Sequence, residues 1–404
     1  MSVVLLGSTS GSVTLQEPAV AGSTTINLPA TSGTMAVLPT ATSVLPEASG
    51  GTGTTTGYYG FKNRLINGQM QIDQRNAGAS VTVGISQVYT VDRWYGGKTG
   101  TVNSFTVQRS TTAPTGFTNS ILITAGTGVT PTTNDFMFLS QAIEGFNFAD
   151  LAWGTASASA VSLSFWVRSS LTGNFGVGLR NGAANRSYIA SYTISAANTW
   201  EQKTITIPGD TSGTWATDNT QACGVFFDLG EGSAFSSTAG SWSSANLLGG
   251  LTGGVKLGAT TGATLNLTGV QLEKGSTATS FDYRPYGTEL ALCQRYYYRT
   301  SGSANTVIST SAVVNATTTA RVNNQFPVTM RAEPTALSQS GTAGDYILNY
   351  GAAQQTCSAV PAFINANTQM ASADFTVASG LTIGNSAYVR CANTNSFLAW
   401  SAEL

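Results

Sequence analysis

Asp228 and Glu231 lie three residues apart in FDLGEG, close enough to share a site. Paired carboxylates are what glycosidic bond cleavage needs, one as acid and the other as base or nucleophile. The same two groups, joined by main-chain carbonyls, could instead hold a calcium ion. The alternative is a strand end running into a solvated turn. Acids elsewhere are sparse and form no dense cluster, so no catalytic residue is expected and the chain is not expected to be an enzyme.

Histidine is absent, which removes the commonest general base and metal ligand and with it every Ser-His-Asp and Cys-His nucleophile. Cys223, Cys293, Cys357 and Cys391 are far apart, form no CxxC pair, and read as buried apolar residues or free thiols. No cofactor is expected beyond the optional calcium.

Sugars are held by flat aromatic rings, with amide and carboxylate side chains on the hydroxyls. Trp215, in SGTWATDN beside Asp218 and Asn219, and Trp242, in TAGSWSSAN beside Asn246, sit in loop-like sequence with no periodicity to bury them. They are the candidate glycan contacts; alternatively each loop folds back and plugs one end of a barrel. Asp92–Gly96 (DRWYG) reads as structural, with Trp94 capping a core and Asp92 and Arg93 paired at its rim. Asn185, Arg186 and Ser187 show no special chemistry. Tyr296, Tyr297 and Tyr298 on a strand would turn one face to a core and the other to a subunit interface, where tyrosine is common.

The elements that must position these residues are β-strands. Only 9% of the 404 residues are charged, against about a quarter in ordinary domains, and the 45 glycines punctuate short alternating runs. VSLSFWVRS places Val161, Leu163, Phe165 and Val167 on one face, and LNLTGVQLE alternates in the same way. A short helix is expected at FNFADLAWG. The reading is all-β: an extended segment over 1–57 ending in the linker SGGTGTTTG, a sandwich over 58–287, and a small β-sandwich over 288–404. In the first segment SVVLLG, GSVTLQEP, TTINLPA and TMAVLP are too short to build a core alone and would need copies of themselves or another protein. FDYRPYG, between the two modules, reads as a stiff hinge.

Net charge is −1 with no basic block, so nucleic acid is not an expected partner. No apolar run approaches the ~20 residues of a membrane span, and MSVVLLG lacks the basic start of a secretory leader. The expectation is a protein made in a cytosol, with no membrane insertion.

LNLTGVQLEKGSTATSFDYRPYGTELALCQRYYYR, from Leu265 to Arg299, resembles the junction of bacteriophage tail-fibre and related virion proteins, between a carbohydrate-binding-module-like sandwich and a C-terminal domain. YTVDRWYG, LSFWVRSS, TWEQKTITIPGDTSGTW and FDLG fall where such jelly-roll modules have them, and CQRYYYR, FPVTMRAEPT and the final AEL resemble the C-terminal domain of phage tail proteins. The resemblance implies a jelly roll, a homotrimer, and attachment to the tail through residues 1–57, and it permits a structural calcium without locating it. It implies a location on the virion and a host cell-surface glycan as the ligand. A capsid fibre built from the same modules, or a glycan depolymerase, are the alternatives.

Overall fold

The computed structural model describes residues 3–6, 12–15, 61–351 and 353–404. The chain divides into two compact units, Met1–Tyr59 and Gly60–Leu404. In the first, Val3–Leu6 pairs antiparallel with Ser12–Leu15. TTINLPA, TMAVLP and the linker SGGTGTTTG lie outside the described residues.

Among its described residues the second unit is all-β apart from one α-helix and short 3₁₀ turns. Its sandwich faces two sheets across a core. The front sheet has seven strands, in the order Trp242–Ser243, Ser187–Ile194, Gly173–Asn181, Gln221–Asp228, Phe136–Glu144, Tyr95–Thr99 and Val88–Tyr89. The back sheet has six: Glu201–Ile207, Val161–Ser169, Thr264–Lys274, Ser120–Ala125, Phe105–Ser110 and Val81–Val83. The expected row Val161, Leu163, Phe165 and Val167 is fully buried, facing Val177, Leu179, Val225 and Phe227 of the front sheet within one core cluster. A period of two sends alternate residues inward, and each buried aliphatic chain stabilises the fold by about 1.5–3 kcal/mol.

Strand Thr264–Lys274 keeps its apolar residues inward only by a bulge between Thr268 and Gln271. Gly269 takes φ +59° there, and a Cβ would stand 2.6 Å from the ring of Phe117. Glycine is therefore required twice over, by conformation and by space.

The outer side of the front sheet is also covered. Gly176 and Gly178 leave it bare of side chains, and the main chain of Gly249 lies on it, so that a Cβ on Gly176 would come within 2.1 Å of the Gly249 carbonyl. Leu248 joins Tyr95, Phe138, Ala142 and Phe226 in a second small core, with Phe235 and Leu404 at its margin. The helix expected at FNFADLAWG appears as two three-residue 3₁₀ turns, Gly145–Asn147 and Ala149–Leu151. Ala152, in the left-handed region at φ 53°, stops the second after one turn.

The C-terminal part carries an antiparallel seven-stranded sheet, ordered Ala353–Thr356, Tyr346–Tyr350, Ser386–Cys391, Val307–Ala316, Thr319–Gln325, Met370–Thr376 and Ala362–Ala366. Against it stand the three strands Tyr297–Ser301, Phe397–Ser401 and Ser338–Gln339. Leu348, Val389, Val322, Phe375 and the fully buried Trp400 fill the space between. All four cysteines are buried free thiols.

FDYRPYG is a fixed joint. Pro285 precedes the α-helix Tyr286–Gln294, as fits a residue with preset φ at a helix start. The buried Arg284 donates to the carbonyls of Asn63 and Leu65 and to Glu289. Glu289 also accepts the Asn67 amide. Cys293 and Tyr296 then pack with Ile66 and Ile72 of the sandwich.

Candidate functional site

The two candidate tryptophans meet at one end of the sandwich. Trp215 lies 5.6 Å from Phe148, nearly parallel, 4.7 Å from Trp153 edge-on, and 5.6 Å from Trp242. It is 7% exposed, and its indole donates to the Ser212 carbonyl. A ring enclosed on this scale cannot stack on a sugar, so Trp215 is corrected from ligand contact to core: its loop folds back and closes the end of the sandwich.

Trp242 is half-buried at the edge of the same cluster. It pairs with Tyr188 across the edge of the front sheet, and its indole donates to the Pro208 carbonyl at 2.8 Å. Arg186 holds buried Asp210 through two bonds of 2.5 and 2.8 Å, donates to Ser244 Oγ at 3.2 Å, and sets its guanidinium 5.9 Å from the Trp242 ring centre. The Asn181 side chain accepts the amides of Asn185 and Arg186, fixing the turn that presents the arginine. Ser187 Oγ donates to the Ala245 carbonyl and keeps the 242–246 turn along the edge strand. Asn246, exposed in that turn, accepts from Arg180 at 2.6 Å.

The structure thus gathers Trp242, Arg186, Asp210, Ser244 and Asn246 along one edge. Sequence reasoning passed over Arg186 and Asp210. Their signal was the turn-rich NGAANRS and IPGDTSG, which supply opposite charges to a loop-borne tryptophan. Asp218 and Asn219 serve otherwise. The exposed Asp218 carboxylate takes the amide and hydroxyl of Thr220, which lowers its pKa. Asn219 exchanges hydrogen bonds with Arg331 of the C-terminal part, at 2.8 and 3.0 Å.

Asp228 and Glu231 are not at a solvated turn; both are buried. Lys256 sits 2.7 Å from Asp228, which also accepts the amides of Gly230 and Leu251. That ammonium takes the place a calcium ion would need, and among the described residues no three His, Cys, Asp or Glu converge as a metal site. The Gly250 amide leans toward Glu231 without reaching hydrogen-bond geometry, so both side-chain oxygens remain unpartnered. Burial first, and then the Asp228 charge, raise the Glu231 pKa well above its ordinary value.

A carboxyl that binds its proton more tightly when folded contributes most below the ordinary glutamate range, about 4.3, and loses that contribution as pH rises toward its raised value. Glu231→Gln is therefore expected to raise the urea midpoint at pH 8 and to flatten its fall between pH 5 and 8. Parallel midpoint curves for the two proteins would contradict this.

Tyr296 and Tyr297, expected at a subunit interface, are buried within their own chain. The Tyr296 hydroxyl donates to Glu144, and Arg93 lies 3.6 Å over its ring. Arg75 lies 3.6 Å over Tyr297. Tyr298 stacks on Trp400 at 6.0 Å. Tyr296 and Tyr297 tie the C-terminal part to the sandwich, while Tyr298 packs within the C-terminal part. Arg93 does not pair with Asp92 at a rim: it is 1% exposed and pairs with Glu403, which also takes Arg75 at 2.9 Å. Asp92 accepts from Gln74, and burial pushes its pKa up to about 6. Trp94 is fully buried, as expected.

No protein family matches this chain, nor does any curated protein. Among solved structures it is similar to the enzymatically active domain of bacteriophage CBA120 tailspike protein 4, at 14% identity and TM-score 0.28, over 53% of this chain and 21% of that one. It is similar to a family 11 carbohydrate-binding module of Clostridium thermocellum, at 12% identity and TM-score 0.26, over 50% of this chain and all of the module. A protein of Bacteroides thetaiotaomicron aligns at 11% identity and TM-score 0.32, over 52% of this chain and 99% of that one. The chain spans about a fifth of the length of that tailspike domain.

Proposed function

We propose that this chain is an adhesive virion protein, a phage tail fibre that binds a host surface glycan without cleaving it. The observation that carries the reading is Trp242: a half-open indole beside fixed amide and hydroxyl groups, with the one nearby buried acid, Asp210, neutralised by Arg186. A ring of this kind stacks on a sugar face while its polar neighbours take the hydroxyls. Cleavage would need two acids facing a cleft. Here Asp150, Glu144, Asp374 and Glu403 are each in an ion pair.

The resemblance at Leu265–Arg299 supports placement on the virion, with residues 1–57 as the docking segment and the homotrimer as the assembly. The low charge suits lateral packing of identical chains, because few charges need be desolvated. Such a protein is made in the host cytoplasm.

The test is affinity electrophoresis of the full chain in gels containing host surface polysaccharide, with a reducing-end assay on the same mixture. Trp242→Ala is expected to weaken retention about tenfold or more, the loss typical of a central aromatic contact. No sugar ends should appear. Release of reducing ends would move the reading to a depolymerase, and unchanged retention would remove Trp242 from the site.

A further inference from the structure

A second aromatic group stands on the outer side of the back sheet, away from Trp242. The loop before Ser120 brings Phe117 over the sheet, and the segment after Lys274 returns across it. That return is pinned by Gln271, whose amide donates to the Ser280 carbonyl and accepts the Asp282 amide at 2.7 Å. Glu273 adds the amide and hydroxyl of Thr279, at 2.8 and 2.7 Å.

The result is a triad of rings. Phe117 lies 5.2 Å from Phe281 and 5.5 Å from Tyr283, and Phe281 lies 5.0 Å from Tyr283. Trp166 extends it, since its ring and that of Phe117 flank the same bare position at Gly269. Tyr283 is 55% exposed although its hydroxyl donates to the Gly116 carbonyl at 3.1 Å; the other three rings are half-buried. Nothing in packing the sandwich core requires an exposed tyrosine to be held in this way.

The surroundings select the occupant. Beside the rings, Gln71 donates to Thr118, and Thr118 bonds Asn119, at 3.2 and 3.1 Å. The charges nearby are already engaged: Arg109 donates to the Gln71 carbonyl, and Arg284 is buried between Asp282 and Glu289. Of the outward side chains on the strands behind, Ser120, Ser162, Asn266, Thr268, Gln271 and Glu273 are buried, which leaves half-buried Thr106, Gln108 and Thr124, with Leu122 and Arg168, as the border beside Trp166. Flat rings with a neutral hydroxyl and amide border, and no free charge, complement an uncharged polyol better than a peptide or a polyanion.

We propose that Phe117, Phe281, Tyr283 and Trp166 form a second sugar-binding platform, for an uncharged glycan, on the outer face of the back sheet. The proposal rests on the glycan-binding reading above but uses different residues. Two separate sites on one chain would let a weak ligand be held by avidity.

The test is affinity electrophoresis of the full chain in gels of mixed-linkage β-glucan, xylan and mannan. Tyr283→Ala, an exposed change expected to leave the thermal midpoint where it was, should weaken retention about tenfold on at least one of them. Tyr283→Phe should keep it. If Trp242→Ala loses retention while Tyr283→Ala moves like the native chain in every gel, the platform is overturned and the adhesive reading stands. If none of the three gels retards the native chain, the platform is overturned, and the adhesive reading stands or falls separately on the gel of host surface polysaccharide. If Tyr283→Ala instead lowers the sedimenting mass with retention intact, the patch is a contact between copies and the proposal is overturned.

Discussion

Glu403→Ala is expected to cost about 3–5 kcal/mol of stability in urea unfolding, a large effect for a single acid. Arg93 is almost wholly enclosed, donates to the Ala142 carbonyl, and among the described residues finds its counter-charge in Glu403. Removing that carboxylate leaves a guanidinium in the interior with the Tyr296 ring and one carbonyl as its remaining company. Arg75 loses the same partner. The double change Arg93→Met with Glu403→Leu should recover much of the loss, because two apolar groups need no solvation. A Glu403→Ala midpoint within about 1 kcal/mol of the native value would show that the pair is solvated after all.

Trp215→Ala is expected to cost about 3–5 kcal/mol, the range for a large buried aromatic whose neighbours cannot close the space. Phe148, Trp153 and Trp242 each contact the ring, so the cavity would be lined by rigid aromatics. Near-UV circular dichroism should lose intensity together with the shift in urea midpoint. Any loss of glycan retention in this variant would follow the unfolding, whereas Trp242→Ala should lose retention with the smaller change in midpoint. Trp215→Ala with native stability and weakened retention would restore Trp215 as a ligand contact.

The strands were legible because their pattern is local. Val161 to Val167 alternate without interruption, and the strand at Leu265 was readable although its phase slips at Gly269. What was hidden depends on contacts far apart in sequence. Nothing around Trp215 tells that Phe148 and Trp153 will meet it, because a loop residue has no period to disclose its burial. Gln271 and Glu273 look like an outward polar row and are buried, since the chain doubles back over them. The run Tyr296–Tyr298 marks a strand but not what each face meets: Tyr296 and Tyr297 meet the sandwich of the same chain, and Tyr298 meets Phe326 and Trp400 of the C-terminal part. Arg186 stayed unread because an arginine in a turn acquires meaning only when Asp210 and Trp242 arrive beside it.

The distance along the chain between Arg93 and Glu403 has a consequence for biogenesis. The two are 310 residues apart. At about 5–20 residues per second, a ribosome delivers the second roughly 15–60 s after the first. Through that interval the nascent sandwich must keep a cation wet that the finished protein encloses, so its last packing step is deferred until translation passes the strand Phe397–Ser401 and reaches Glu403.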